Sequence, residues 1–162
     1  GRDSLMPFIL RAADTGSGLF MLVRTSNSGS RDIQQQEIED LPVWAHLARL
    51  LAPAITEYID EQAGFSSIGI VAGATGPLEA RALRAQLPAA PFLIPGYGAQ
   101  GASASDALSG LITHHQGRMT GGLVNSSRGI SNCHAAQAAC DIGGWRVAVA
   151  NALTDAINDL TS

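Results

Sequence analysis

The residues best suited to chemistry stand in three short polar runs. The first is Arg24-Thr25-Ser26-Asn27-Ser28-Gly29-Ser30. Its hydroxyls and amide suit the edge of a planar polar heterocycle, although the same composition also makes an ordinary capped turn. The second is Pro95-Gly96-Tyr97-Gly98-Ala99-Gln100-Gly101, which matches G-x-G-x-x-G and is followed by a helical pattern. The dinucleotide-binding form of that pattern carries an acidic residue about 20 positions further on. That stretch reads Thr120-Gly121-Gly122, so no nicotinamide cofactor is expected. What remains is backbone able to approach an anion, backed by the N–H groups of the next helix. The third run is Asn125-Ser126-Ser127-Arg128-Gly129-Ile130, where Arg128 offers a planar fork of donors. Arg128 alone would equally serve a surface ion pair. Taken together, the loop with Gln100 and the loop with Arg128 point to a shared phosphate site.

The elements that must position these runs are legible from hydrophobic patterning. Leu19–Arg24, Ser67–Gly73, Pro91–Pro95 and Gly122–Asn125 are continuous apolar runs, as expected of parallel strands covered on both faces. Helices are predicted over Ser4–Ala13, Leu41–Ala63, Gly76–Pro88, Ser103–His115 and Asn132–Leu160. Pro53 predicts a kink or break near residues 49–53, and Gly143-Gly144 a break in the last helix. The result is four βα units in one domain, residues 1–162. A (β/α)8 barrel takes about 250 residues, so four units make half of one. An open doubly wound sheet could use the same order. The polar runs follow the first, third and fourth strands, at the ends where both architectures place their sites.

Composition narrows the chemistry. All ten basic residues are arginine, which excludes Schiff-base chemistry, a lysine general acid and a P-loop within this polypeptide. A net charge of −4 with no basic run argues against a nucleic-acid partner, and no apolar run is long enough for a membrane span. His46 and His114-His115 lack ligands at metal spacing, so no metal is expected. Ser126-Ser127 has no recognisable His–acid partners, and Asp106 is assigned to a helix surface. Cys133 and Cys140, on one face of the last predicted helix and about 10 Å apart, read as buried free thiols in a reducing compartment. The start, Gly1-Arg2-Asp3-Ser4, has no initiator Met and no signal-peptide core, and reads as the middle of something longer.

The runs Leu22–Asn27, Val71–Thr75, Leu93–Gly101 and Leu123–Ile130, in this order and spacing, make the chain similar to the orotidine 5'-monophosphate decarboxylases of the longer bacterial type. The likeness covers the C-terminal half of that family, barrel strands five to eight. It implies that Ser26 contacts the pyrimidine and that Pro95 lines the pocket beside it. Gln100 and Arg128 would hold the 5'-phosphate, helped by N–H groups near Gly101 and Gly129. Ala102 stands where many relatives carry glycine, and Tyr97 replaces a small apolar residue. The family's lysines and aspartates, including an Asp-x-Lys-x-x-Asp motif, belong to the other half, so this chain would carry no catalytic residue. The resemblance implies cofactor-free decarboxylation of orotidine 5'-monophosphate to uridine 5'-monophosphate. It also implies a missing N-terminal half-barrel as partner, a homodimer and a cytoplasmic location. Two other readings are a sugar-phosphate decarboxylase or epimerase on the same barrel, and a phosphate-binding half-barrel scaffold pairing with its own copy.

Overall fold

A computed structural model describes residues 1–114 and 117–162. Helix α1 (Arg2–Thr15) leads into β1 (Leu19–Arg24), a 3-10 turn (Ser28–Asp32) and a small hairpin of β2 (Glu37–Ile38) and β3 (Leu41–Pro42). Then come α2 (Val43–Glu57), β4 (Ile68–Ala72), α3 (Pro77–Gln86), β5 (Phe92–Pro95) and α4 (Ala104–Leu108). A second hairpin of β6 (Ile112–Thr113) and β7 (Met119–Thr120) precedes β8 (Gly122–Asn125), α5 (His134–Gln137) and α6 (Ile142–Thr161).

Strands β1, β4, β5 and β8 form one parallel sheet in that order, so each strand neighbours the next long strand of the sequence. Register assigns the two faces. Met21, Ile70, Phe92 and Gly122 lie in one lateral row. Ile70 and Phe92 are fully buried, in one core with Leu51 and Ile55 of α2 and Leu83 of α3. Leu22, Val71, Leu93 and Leu123 make the row on the opposite face. At its ends Leu22 is 67% and Leu123 65% exposed. A four-stranded parallel sheet with helices on one face and bare leucines on the other is half of a (β/α)8 barrel.

One arginine closes the end of the sheet away from the polar runs. Arg84 donates to the carbonyls of Ala90 (2.7 Å), Gly121 (2.7 Å), Gly110 (2.8 Å) and Pro88 (3.0 Å). Its guanidinium lies 3.8 Å from the centroid of the Phe92 ring. Burial pulls its pKa down to about 10, so it stays cationic at neutral pH.

Several predicted helices are corrected. Helix α2 runs through Pro53 without a break, because the buried stripe Ala45, Ala48, Leu51, Ala54, Ile55 continues on both sides of it. Its end comes at Glu57 instead, where Asp60 Oδ1 draws the N–H groups of Gln62 (2.9 Å) and Ala63 (2.7 Å) into a local turn. The helix expected over Ser103–His115 is the short α4, followed by the β6–β7 hairpin; His115 lies outside the described residues. Gly110, just past the end of α4, packs against the Phe92 ring, from which a Cβ would stand only 2.9 Å. The break in the last helix falls between α5 and α6. Gly143 and Gly144 lie inside α6, where Asp141 Oδ1 caps the Gly144 N–H at 2.7 Å. The cysteines therefore share no helix. Cys133 precedes α5 and is half-buried, and Cys140 is exposed, so the buried-thiol expectation fails.

Candidate functional site

The three polar runs converge at the C-terminal end of the sheet. The first is anchored from beneath by Arg24, only 4% exposed. A buried guanidinium is costly unless paired, and Arg24 Nε sits 3.3 Å from Glu79 Oε1 in the first turn of α3. Its Nη1 donates to Ser30 Oγ (2.9 Å) and to the Thr25 carbonyl. Gln34 Oε1 accepts the Thr25 N–H at 2.9 Å, and Thr75 Oγ1 donates to the Ser26 carbonyl at 3.0 Å.

Ser26 is thereby fixed, and two glycines make room for it. A Cβ on Gly73 would stand 2.6 Å from the Ser26 nitrogen, and a Cβ on Gly96 would stand 2.6 Å from Ser26 Cβ. Gly96, with a φ of 104°, starts the second run. This loop then folds on itself, Gly98 N–H donating to the Ala102 carbonyl (3.0 Å) and Gly101 N–H to that of Gly98 (2.9 Å). At the start of the helix behind it a capping box takes up two of the N–H groups. Ser103 Oγ accepts the Asp106 N–H at 3.2 Å, and the Ser103 N–H donates to Asp106 Oδ2 at 3.0 Å. The hydrogen bonds from Ser103 hold the Asp106 carboxyl below its ordinary pKa, which leaves an anion at that helix start.

Gln100 joins the three runs. Oriented to satisfy its neighbours, its amide nitrogen donates to Ser26 Oγ (2.6 Å) and the Ser26 carbonyl (3.0 Å), while its amide oxygen accepts from Arg128 Nη2 at 3.0 Å. Two clefts meet at this side chain. One, about 140 Å³, is lined by Pro95, Tyr97, Gln100, Asn125, Ser127 and Arg128 among others. The other, about 320 Å³, is lined by Ser26, Asn27, Ser28, Arg31, Thr75 and Arg24 on the far side of the Gln100 amide. Of the residues singled out from sequence, Pro95, Gln100 and Arg128 line the first cleft and Ser26 the second. Gly101 and Gly129 line neither.

Sequence reasoning undervalued Tyr97 and missed Glu79. The Tyr97 hydroxyl donates to Asp159 Oδ2 of α6 at 2.6 Å. Desolvation, then the bond to Asp159 and its charge, push the phenol up to about 12. No local pattern announces Glu79 or Asp159, because each meets its partner from 55 or 62 residues away. Among the described residues no group of three or more His, Cys, Asp or Glu side chains could hold a metal ion, and no helix is long and apolar enough to cross a membrane.

An arginine-edged cleft at the strand ends of half a (β/α)8 barrel stands where α/β-barrel proteins carry their sites. The chain is similar to orotidine 5'-phosphate decarboxylases. It is 42% identical to that of Clostridium perfringens over 131 residues, which is 80% of this chain and 44% of the relative. A solved orotidine-monophosphate decarboxylase structure from Toxoplasma gondii superposes with a TM-score of 0.73 at 30% identity, covering 99% of this chain and 55% of that one. The Leishmania donovani enzyme gives 0.66 at 30% identity, over 99% and 54%. The chain thus spans about half the length of the relatives it matches. No protein-family model matches it.

Proposed function

We propose that this chain forms the phosphate- and pyrimidine-binding half of an orotidine 5'-monophosphate decarboxylase, which releases carbon dioxide and yields uridine 5'-monophosphate without a cofactor. The observation that carries the reading is the single amide of Gln100, bonded to Ser26 on one side and Arg128 on the other. Arg128 supplies two charge-assisted donors to a phosphate dianion. Ser26 serves the pyrimidine edge from the second cleft, Gln100 joins Arg128 at the phosphate, and Pro95 walls the first cleft. Gly101 and Gly129 shape the two loops around the anion. The lysines and aspartates that would surround C6 and protonate the carbanion come from the remaining half of the barrel, since this chain has no lysine. Its own contribution is remote binding energy applied in the transition state. The finer expectations are a cytoplasmic enzyme acting as a homodimer.

Calorimetric titration with uridine 5'-monophosphate and with uridine tests the binding role. Tighter binding of the nucleotide by tenfold or more is expected, and equal affinities would remove the phosphate assignment. Turnover should appear only when a polypeptide bearing Asp-x-Lys-x-x-Asp is supplied.

A further inference from the structure

Tyr97 lies inside the Gly-rich loop, yet its bonds leave that loop in two directions. Its ring is half-buried against the core. Its carbonyl accepts the Ala99 N–H within the loop (2.9 Å) and also Ser126 Oγ from the Arg128 loop (3.3 Å). Its hydroxyl reaches Asp159, in the last turn of α6, at 2.6 Å. The next residue, Leu160, packs against the core, so the carboxylate stands on a fixed support. One residue therefore ties the Gln100 loop, the Arg128 loop and the C-terminal helix together, and the same residue lines the cleft.

We propose that Tyr97, held by Asp159, is a positioning residue that sets the spacing of Gln100 and Arg128 for an anion. The proposal rests on the phosphate reading of the cleft. Glycines at 96, 98 and 101, all with positive φ, give the loop backbone freedom that its own few hydrogen bonds must limit. Gln100 and Arg128 are both exposed, so beyond the bond between them and that of Gln100 to Ser26 their separation depends on their loop backbones. The Tyr97 side chain does so from below, and α6 thereby becomes part of the site without touching the ligand.

The test compares wild type with Tyr97→Phe and Asp159→Ala in the assembly this chain forms. Amide hydrogen exchange reads the loop without any ligand. Loss of one such bond should speed exchange at Gly98 and Gly101 by about three- to tenfold, while β4 and β5 amides keep wild-type rates. Affinity for uridine 5'-monophosphate should fall by a similar factor in both variants, with uridine unaffected and the double variant no worse than either single one. Unchanged loop exchange overturns the proposal. So does acceleration spread equally over β4 and β5, which would make Tyr97 a general stabiliser. If Tyr97→Phe fails to fold, Asp159→Ala, altered at an exposed position, carries the same measurements. If wild type binds uridine and its monophosphate equally, the phosphate reading fails, whereas the exchange result still decides whether Tyr97 orders the loop.

Discussion

Gln100 and Arg128 meet through one hydrogen bond, 3.0 Å from the guanidinium Nη2 to the amide oxygen, and that bond fixes which way the amide faces. With its oxygen committed to Arg128, the nitrogen must point at Ser26. The cation thus orients a group that serves the other cleft.

Arg128→Ala should remove the charge-assisted fork and cost about 2–4 kcal/mol of phosphate affinity. In the reconstituted enzyme kcat/KM for the phosphorylated substrate should fall by about two to three powers of ten, at about 1.36 kcal/mol per tenfold. A truncated substrate without phosphate should lose little. Gln100→Ala should cost less, about 1–2 kcal/mol, but should weaken both substrates. The two losses should not add, because the residues are in contact. Steady-state kinetics on both substrates separates these patterns; equal losses on both for Arg128→Ala would return it to a surface role.

Arg84→Ala should leave the carbonyls of Ala90 and Gly110 without their donor, and that of Gly121 with only the Phe92 N–H. A loss of about 3–5 kcal/mol is expected, a fall in Tm of about 10 °C. Arg84→Lys should recover little, since a single ammonium cannot span carbonyls set around a planar fork. Thermal denaturation followed by circular dichroism checks both, and a Tm within two or three degrees of wild type for Arg84→Ala would be the contrary result.

The Tyr97–Asp159 bond has a pH signature. The Tyr97 phenol is pushed up to about 12 in the folded chain, against about 10 unfolded. Its contribution to stability is therefore complete below pH 10 and is lost as pH rises through 12. The difference in ultraviolet phenolate absorbance between wild type and Tyr97→Phe should titrate near 12. In Asp159→Ala the same difference should move down by part of that shift, since desolvation, its largest cause, remains. A wild-type midpoint already at 10 would mean the bond does not persist in solution.

The row Leu22, Val71, Leu93, Leu123 makes an assembly prediction. Exposed leucines at both ends of that row, with Phe20 beside them at 45% exposure, favour association. Light scattering should show a complex or a self-associated species. Leu22→Arg with Leu123→Arg should shift it toward monomer. A wild-type monomer with a sharp unfolding transition would contradict this.

The strands were legible because each is an uninterrupted apolar run; β1 and β8 match the sequence reading residue for residue. The β6–β7 hairpin was not, since two-residue strands carry no period. Pro53 misled because its cost is local while the burial that outweighs it is tertiary. In the site, Ser26, Pro95, Gln100 and Arg128 could be singled out from loop composition. Their connection through one amide could not, because it depends on how three loops 25 or more residues apart are juxtaposed.

Ser26 occupies a notch cut by Gly73 and Gly96, so this corner is defined by atoms that are missing. Mutational tolerance there is correspondingly one-sided. Adding a single methyl at either glycine moves a loop, and a larger side chain at position 26 meets the same two walls. Room for change lies outward, at Asn27, Ser28 and Arg31, which also line the second cleft.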